Sequence, residues 1–151
     1  MTRLVIATIS VGLLAGVPID PRIHIEIRDP ARHPPVVTVT FSNPGTERVD
    51  LTGTGAIELS AKANAFWAPF DLEKFRPVGP NLRSSFVLEA GAERRVELDL
   101  GQLRWAREIS SIWPQTPLAS AVPAGTYALL VRIQAADERR IVSNGVVVTI
   151  K

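Results

Sequence analysis

The chain has 151 residues, 46% of them hydrophobic and 21% charged, and 17 basic against 15 acidic side chains give a net charge of +2 at neutral pH. That is ample apolar material for a two-sheet core and excludes a disordered chain. So small an excess of positive charge, with the arginines scattered, gives no footprint for nucleic acid. The absence of cysteine excludes a disulfide framework, a Cys-based zinc site and a thiol nucleophile.

Met1-Thr2-Arg3 followed by the apolar run Leu4 to Val17 and then Pro18 has the form of a secretory signal peptide over residues 1–17. The run is too short to span a bilayer, so no membrane span is expected once it is removed. This reading places the protein in the periplasm or outside the cell. The alternative is an N-terminal strand pair, since Val5, Ile6, Thr8, Ile9 and Val11 all favour strands.

From Ile19 to Arg28 the isoleucines 23, 25 and 27 alternate with His24, Glu26 and Arg28, which predicts a half-buried strand. Asp29 to Pro35 reads as a turn. Val36 to Ser42 alternates again, with Val37, Val39 and Phe41 on one face, and stops at the turn Asn43-Pro44-Gly45. Val49 to Thr52 and Ala56 to Ala61 read as two short strands divided by Gly53 and Gly55. Between Asn64 and Pro80 the aromatics and prolines keep no period, and the prolines argue against a central strand. Ser85 to Leu88 and Arg95 to Leu100 read as a strand pair around Glu89–Ala92, with Val96, Leu98 and Leu100 inward. In the long connection Gly101 to Val122, the spacing of Leu103, Ala106, Ile109 or Ser110, and Trp113 predicts one short helix ending before Pro114. Two final strands, Tyr127 to Gln134 and Ile141 to Ile150, flank a hairpin loop at Ala135 to Arg140.

The run Pro123-Ala124-Gly125-Thr126-Tyr127, followed by alternating apolar residues, resembles the tyrosine corner of immunoglobulin-like and fibronectin type III-like domains. The resemblance implies that the Tyr127 hydroxyl bonds to upstream backbone, that Gly125 and Tyr127 form a structural corner, and that Leu129 stands where an antibody domain carries its second cysteine. Together with the Val37–Pro44 strand and turn and the Leu88–Gly91 turn, it looks like small exported bacterial sandwich domains. These include the non-catalytic β-domains of some secreted metallopeptidases and the sandwich called the intracellular proteinase inhibitor. The fold implied for residues 18–151 is a single all-β domain, an immunoglobulin-like antiparallel β-sandwich of about seven strands with one short helix in a long connection.

Residues that carry chemistry are sparse. There is no Gly-x-Ser-x-Gly elbow, His-Glu-x-x-His helix or Gly-rich phosphate loop. The only histidines, His24 and His33, both lie near the N-terminus, so no catalytic set is expected. His24 and Glu26 share a strand face and Asp20, Asp29 or His33 could join them on a metal, but alternating polar residues on a wet strand face give the same pattern. The pairs Asp71/Glu73 and Glu97/Asp99 lack the dense oxygen-ligand loop that calcium needs. No metal and no cofactor is therefore expected. The aromatics are more informative. Phe66, Trp67, Phe70 and Phe75 crowd one irregular segment, and Trp105 and Trp113 flank the long connection. Trp67 is the candidate for the core, and Trp105, Trp113, Phe70 and Phe75 are the candidate contact surface; the alternative has these rings filling the core and closing an open end. The function this favours is a non-enzymatic, exported module that binds another protein through an exposed edge or through the Gly101–Val122 connection. The alternatives are a proteinase inhibitor that presents such a loop to a protease cleft, and a carbohydrate-binding module that uses exposed aromatics.

Overall fold

The structure, a computed structural model, describes residues 20–62, 64–76, 83–107 and 122–151. The apolar run expected as a signal peptide falls outside these residues. So does most of the stretch expected to be helical, and among the described residues every regular element is a strand.

In chain order the strands are β1 (Arg22–Ile27), β2 (Val36–Ser42), β3 (Val49–Ala61), β4 (Asn64–Phe70) and β5 (Ser84–Leu88). There follow β6 (Glu93–Asp99), β7 (Ala106–Arg107), β8 (Gly125–Ala135), β9 (Arg140–Val142) and β10 (Val146–Ile150). They form two antiparallel sheets, a three-stranded one in the order β1-β2-β6 and a seven-stranded one in the order β10-β8-β3-β4-β7, with β5 also on β3 and β9 also on β8. The all-β, two-sheet expectation therefore holds.

The alternation of residue types decides which face each strand buries. Ile23 and Ile25 of β1 and Val37, Val39 and Phe41 of β2 point inward, as do Leu51, Ile57 and Leu59 of β3 and Tyr127, Leu129, Val131 and Ile133 of β8. These residues of both sheets share one hydrophobic cluster. Phe41 lies 5.1 Å, centroid to centroid, from both Phe75 and Phe86.

Three readings of the sequence before Gly101 are corrected. The glycines 53 and 55 do not divide β3, which runs unbroken for 13 residues. A Cβ at Gly53 would stand 2.3 Å from the Gln134 carbonyl oxygen of β8, and one at Gly55 would stand 2.6 Å from Phe70 and 2.7 Å from Leu72. Both glycines mark close approach, not a break. Next, the proline-rich segment does contain a strand. In β4, Pro69 pairs with Ala56 of β3, while on its other side β7 reaches only Phe66 and Trp67. Pro69 thus lies where β4 is a sheet edge among the described residues, a position that tolerates a missing N–H. Finally, β5 and β6 are not a hairpin: β5 pairs with β3 and β6 with β2. Residues 89–92 carry the chain from one sheet to the other.

Asn43 fixes that crossing. It is 1% exposed. Its backbone N–H donates to the Ala92 carbonyl (2.9 Å). Its side-chain Nδ2 lies 2.7, 3.2 and 3.1 Å from the carbonyls of Glu47, Leu88 and Glu89, while Oδ1 accepts from the Gly45 N–H at 3.0 Å. One side chain thereby ties the β2–β3 turn to the end of β5, and its backbone reaches the start of β6.

The two sheets are joined a second time near the C-terminus. The expected strand Ile141–Ile150 is broken at Ser143-Asn144-Gly145 into β9 and β10. Ser143 bonds both to Val131 of β8 and to the Asn144 carbonyl. Asn144 Oδ1 accepts the Ile25 N–H (2.8 Å) and its Nδ2 donates to the Ile25 carbonyl (3.0 Å). The side chain thus acts as a strand partner for β1.

Candidate functional site

The aromatic residues expected to form a contact surface are buried wherever they are described. Phe70 is 1%, Phe75 9% and Trp105 5% exposed, all within the main core cluster. Phe70 is the last residue of β4 and faces inward. Phe75 is turned in by the loop after it, whose backbone is closed by Asp71: Oδ1 accepts from the Glu73 and Lys74 N–H groups at 2.8 Å and the Asp71 carbonyl accepts from Phe75 N–H at 2.8 Å. Phe75 adopts a left-handed φ of 51° and its ring stacks on Phe70 at 6.1 Å. Trp105 satisfies its indole N–H on the Leu100 carbonyl at 3.1 Å while its rings enter the core. Trp113 lies outside the described residues.

Trp67, the expected core tryptophan, is buried on the opposite face of the large sheet. It forms a separate cluster there with Ala56 and Ala106. It pairs across β3 with Glu58, which makes a 2.6 Å ion pair with Arg132 of β8. This outer-face patch is not readable from the sequence, because it needs the register of three strands.

At the corner, Gly125 opens β8 and the Tyr127 hydroxyl donates to the Pro123 carbonyl at 2.8 Å. The Tyr127 ring packs edge-on to Phe66 at 6.0 Å, and Leu129, two residues on, is fully buried. His24 and Glu26 both lie exposed on the outer face of β1. Among the described residues no group of three or more His, Asp or Glu side chains is placed to hold a metal ion.

The surface feature that stands out is a sheet edge. A strand edge presents unpaired N–H and C=O groups, and charges or covering side chains commonly block it. The edge strand β6 carries Glu93, Arg94, Arg95, Glu97 and Asp99, and β1 is engaged at Ile25 by Asn144. By contrast β10, Val-Val-Val-Thr-Ile, carries no charge, and among the described residues only β8 pairs with it. Val147 is 67% and the adjoining Val142 of β9 is 44% exposed, both pointing to the outer face. The exposure of large apolar side chains among the described residues is completed by Val87 alone.

In the β8–β9 turn the Arg139 N–H and guanidinium both bond to Asp137, and chiefly the backbone bond holds the Asp137 carboxyl below its ordinary range. Arg139 also reaches Asp20 at 3.0 Å. No described helix is long and apolar enough to cross a membrane. Set against known protein families, curated proteins and solved structures, the chain matches none of them.

Proposed function

We propose that this chain is a non-enzymatic protein-binding domain of the immunoglobulin-like or fibronectin type III-like kind, exported from the cell, that takes an extended segment of a partner protein along β10. The observation that carries the reading is the uncharged β10 edge with Val147 and Val142 exposed beside it. Strand addition gains main-chain hydrogen bonds for affinity and alternate side-chain contacts for specificity, and an uncharged β-branched edge suits it. The fold class is supported by the arrangement of β1, β2 and β6 against β10, β8, β3 and β4, and by the Tyr127 hydroxyl bonding back to Pro123. Export rests on the apolar run Leu4 to Val17 after Arg3. The carbohydrate alternative gains no support, since every described aromatic ring is buried.

The test is site-specific photo-crosslinking in the producing cell. A photoreactive residue at Val142 is expected to trap a protein partner, and one at Thr38, on the outer face of β2, is not. Val147→Lys with Thr149→Lys, which places charges along the edge, is expected to abolish trapping from position 142. Equal trapping from both positions, or trapping that survives the two lysines, would refute the reading.

A further inference from the structure

A second surface is carried by charge. The loop after β4 brings Lys74 and Arg76 to one end of the sandwich. Leu72 N–H donates to Ser84 Oγ at 2.7 Å, which places the neighbouring Arg83 at the same end. Arg94 of β6 completes the group: its guanidinium lies 4.4 Å over the Phe75 ring and donates to the Glu73 carbonyl at 2.8 Å. All four cations are exposed. Glu73 is the exposed carboxylate of this loop, Asp71 being turned inward on backbone N–H groups, and the neighbouring Glu93 is engaged by Arg95 at 3.0 Å. Four positive charges against the two carboxylates Asp71 and Glu73 leave a local excess of two, as much as the net charge of the whole chain.

We infer that this rim, formed by Lys74, Arg76, Arg83 and Arg94, is a docking surface for an acidic polypeptide segment. Three features select that ligand. Arg94 is held in place by Phe75 and the Glu73 carbonyl, so its ordering cost is already met before a carboxylate arrives. The loop's own amides are engaged, those of Glu73, Lys74 and Phe75 on Asp71 and that of Asp71 on the Arg76 carbonyl. These four amides are therefore not free to form a backbone nest around a phosphate. Among the described residues the rim's aromatic ring, Phe75, is covered by Arg94 and offers no stacking platform for bases. What remains is a spread of separate cations, which matches carboxylates strung along a chain. This inference is independent of the β10 edge.

The experiment measures binding of a fluorescein-labelled octa-glutamate peptide to the full chain by anisotropy, with octa-glutamine as control. The glutamate peptide is expected to bind, and added salt to weaken it. Lys74→Gln, Arg76→Gln and Arg83→Gln together are expected to weaken it by about tenfold. Arg22→Gln, Arg140→Gln and Lys151→Gln, which remove the same total charge elsewhere, are expected to change it little. Glu73→Gln removes the opposing carboxylate and is expected to tighten binding, a gain that misfolding does not produce. Equal binding of the two peptides, equal loss in the two triple variants, no gain with Glu73→Gln, or tighter binding of a single-stranded oligonucleotide would each overturn the inference.

Discussion

Asn43 offers the sharpest test of how the chain crosses between sheets. Its Nδ2 has two hydrogens to share among the carbonyls of Glu47, Leu88 and Glu89, and Oδ1 takes the Gly45 N–H. Asn43→Ala removes about three hydrogen bonds and orphans partners that are buried or half-buried. At roughly 1 kcal/mol or slightly more for each, the loss is about 3 kcal/mol. Urea unfolding reads this as a midpoint lowered by about 2 M for a slope near 1.5 kcal/mol/M. Asn43→Asp keeps the shape and the bond to Gly45 but turns a charged acceptor toward three carbonyls. At neutral pH it is expected to destabilise more than alanine does. A carboxyl so placed has its folded pKa raised, so it costs nothing extra when protonated in both states and its penalty grows as pH rises. Acidification should therefore narrow the gap between Asn43→Asp and the parent. A loss under about 1 kcal/mol for alanine, or an aspartate no worse than alanine at neutral pH, would refute this account of the crossing.

Three further outcomes follow from the geometry. Tyr127→Phe removes the bond to the Pro123 carbonyl and is expected to cost about 1 to 2 kcal/mol in chemical unfolding; an unchanged midpoint would contradict it. Gly55→Ala drives a methyl into Phe70 and Leu72 and is expected to cost about 1 to 3 kcal/mol, read as a lowered Tm. Asp137 has its folded pKa lowered, mainly by the Arg139 N–H, so its contribution is present above the ordinary aspartate range and is lost as pH falls through the lower folded value. Asp137→Asn should remove that part of the pH dependence, and a carboxyl resonance titrating at the ordinary aspartate value would show the bond to be absent in solution.

Strands with one wet face were the legible ones. In β1 and β2 the alternation of Ile23 and Ile25, or Val37 and Val39, with polar neighbours gives both the element and its inward face. The strand β4 was hidden because it is apolar on both sides, Phe66 and Phe70 facing the main core and Trp67 the small outer cluster. A strand buried on both faces keeps no period of two. Gly53 and Gly55 misled for a related reason: a glycine that admits a neighbour and one that ends a strand look alike until the neighbour is known. The turn 89–92 has the length of a hairpin turn, and only the pairing of β5 with β3 and of β6 with β2, both distant in sequence, shows that it bridges two sheets. On the candidate contact surface, ring content marked Phe70, Phe75 and Trp105 as large contacts but not which way they face. The strand β10 was legible as a strand, but its place at an edge depends on the order of the sheet.

The claim on which the functional reading rests is that the outer side of β10 is open. In an antiparallel pair every second residue directs its N–H toward the partner. Residue-resolved hydrogen exchange on the isolated full chain should therefore show alternate amides of Val146–Ile150 protected by β8 and the others exchanging freely. Protection of every amide in that strand would mean that the edge is already covered, and would contradict strand addition at β10.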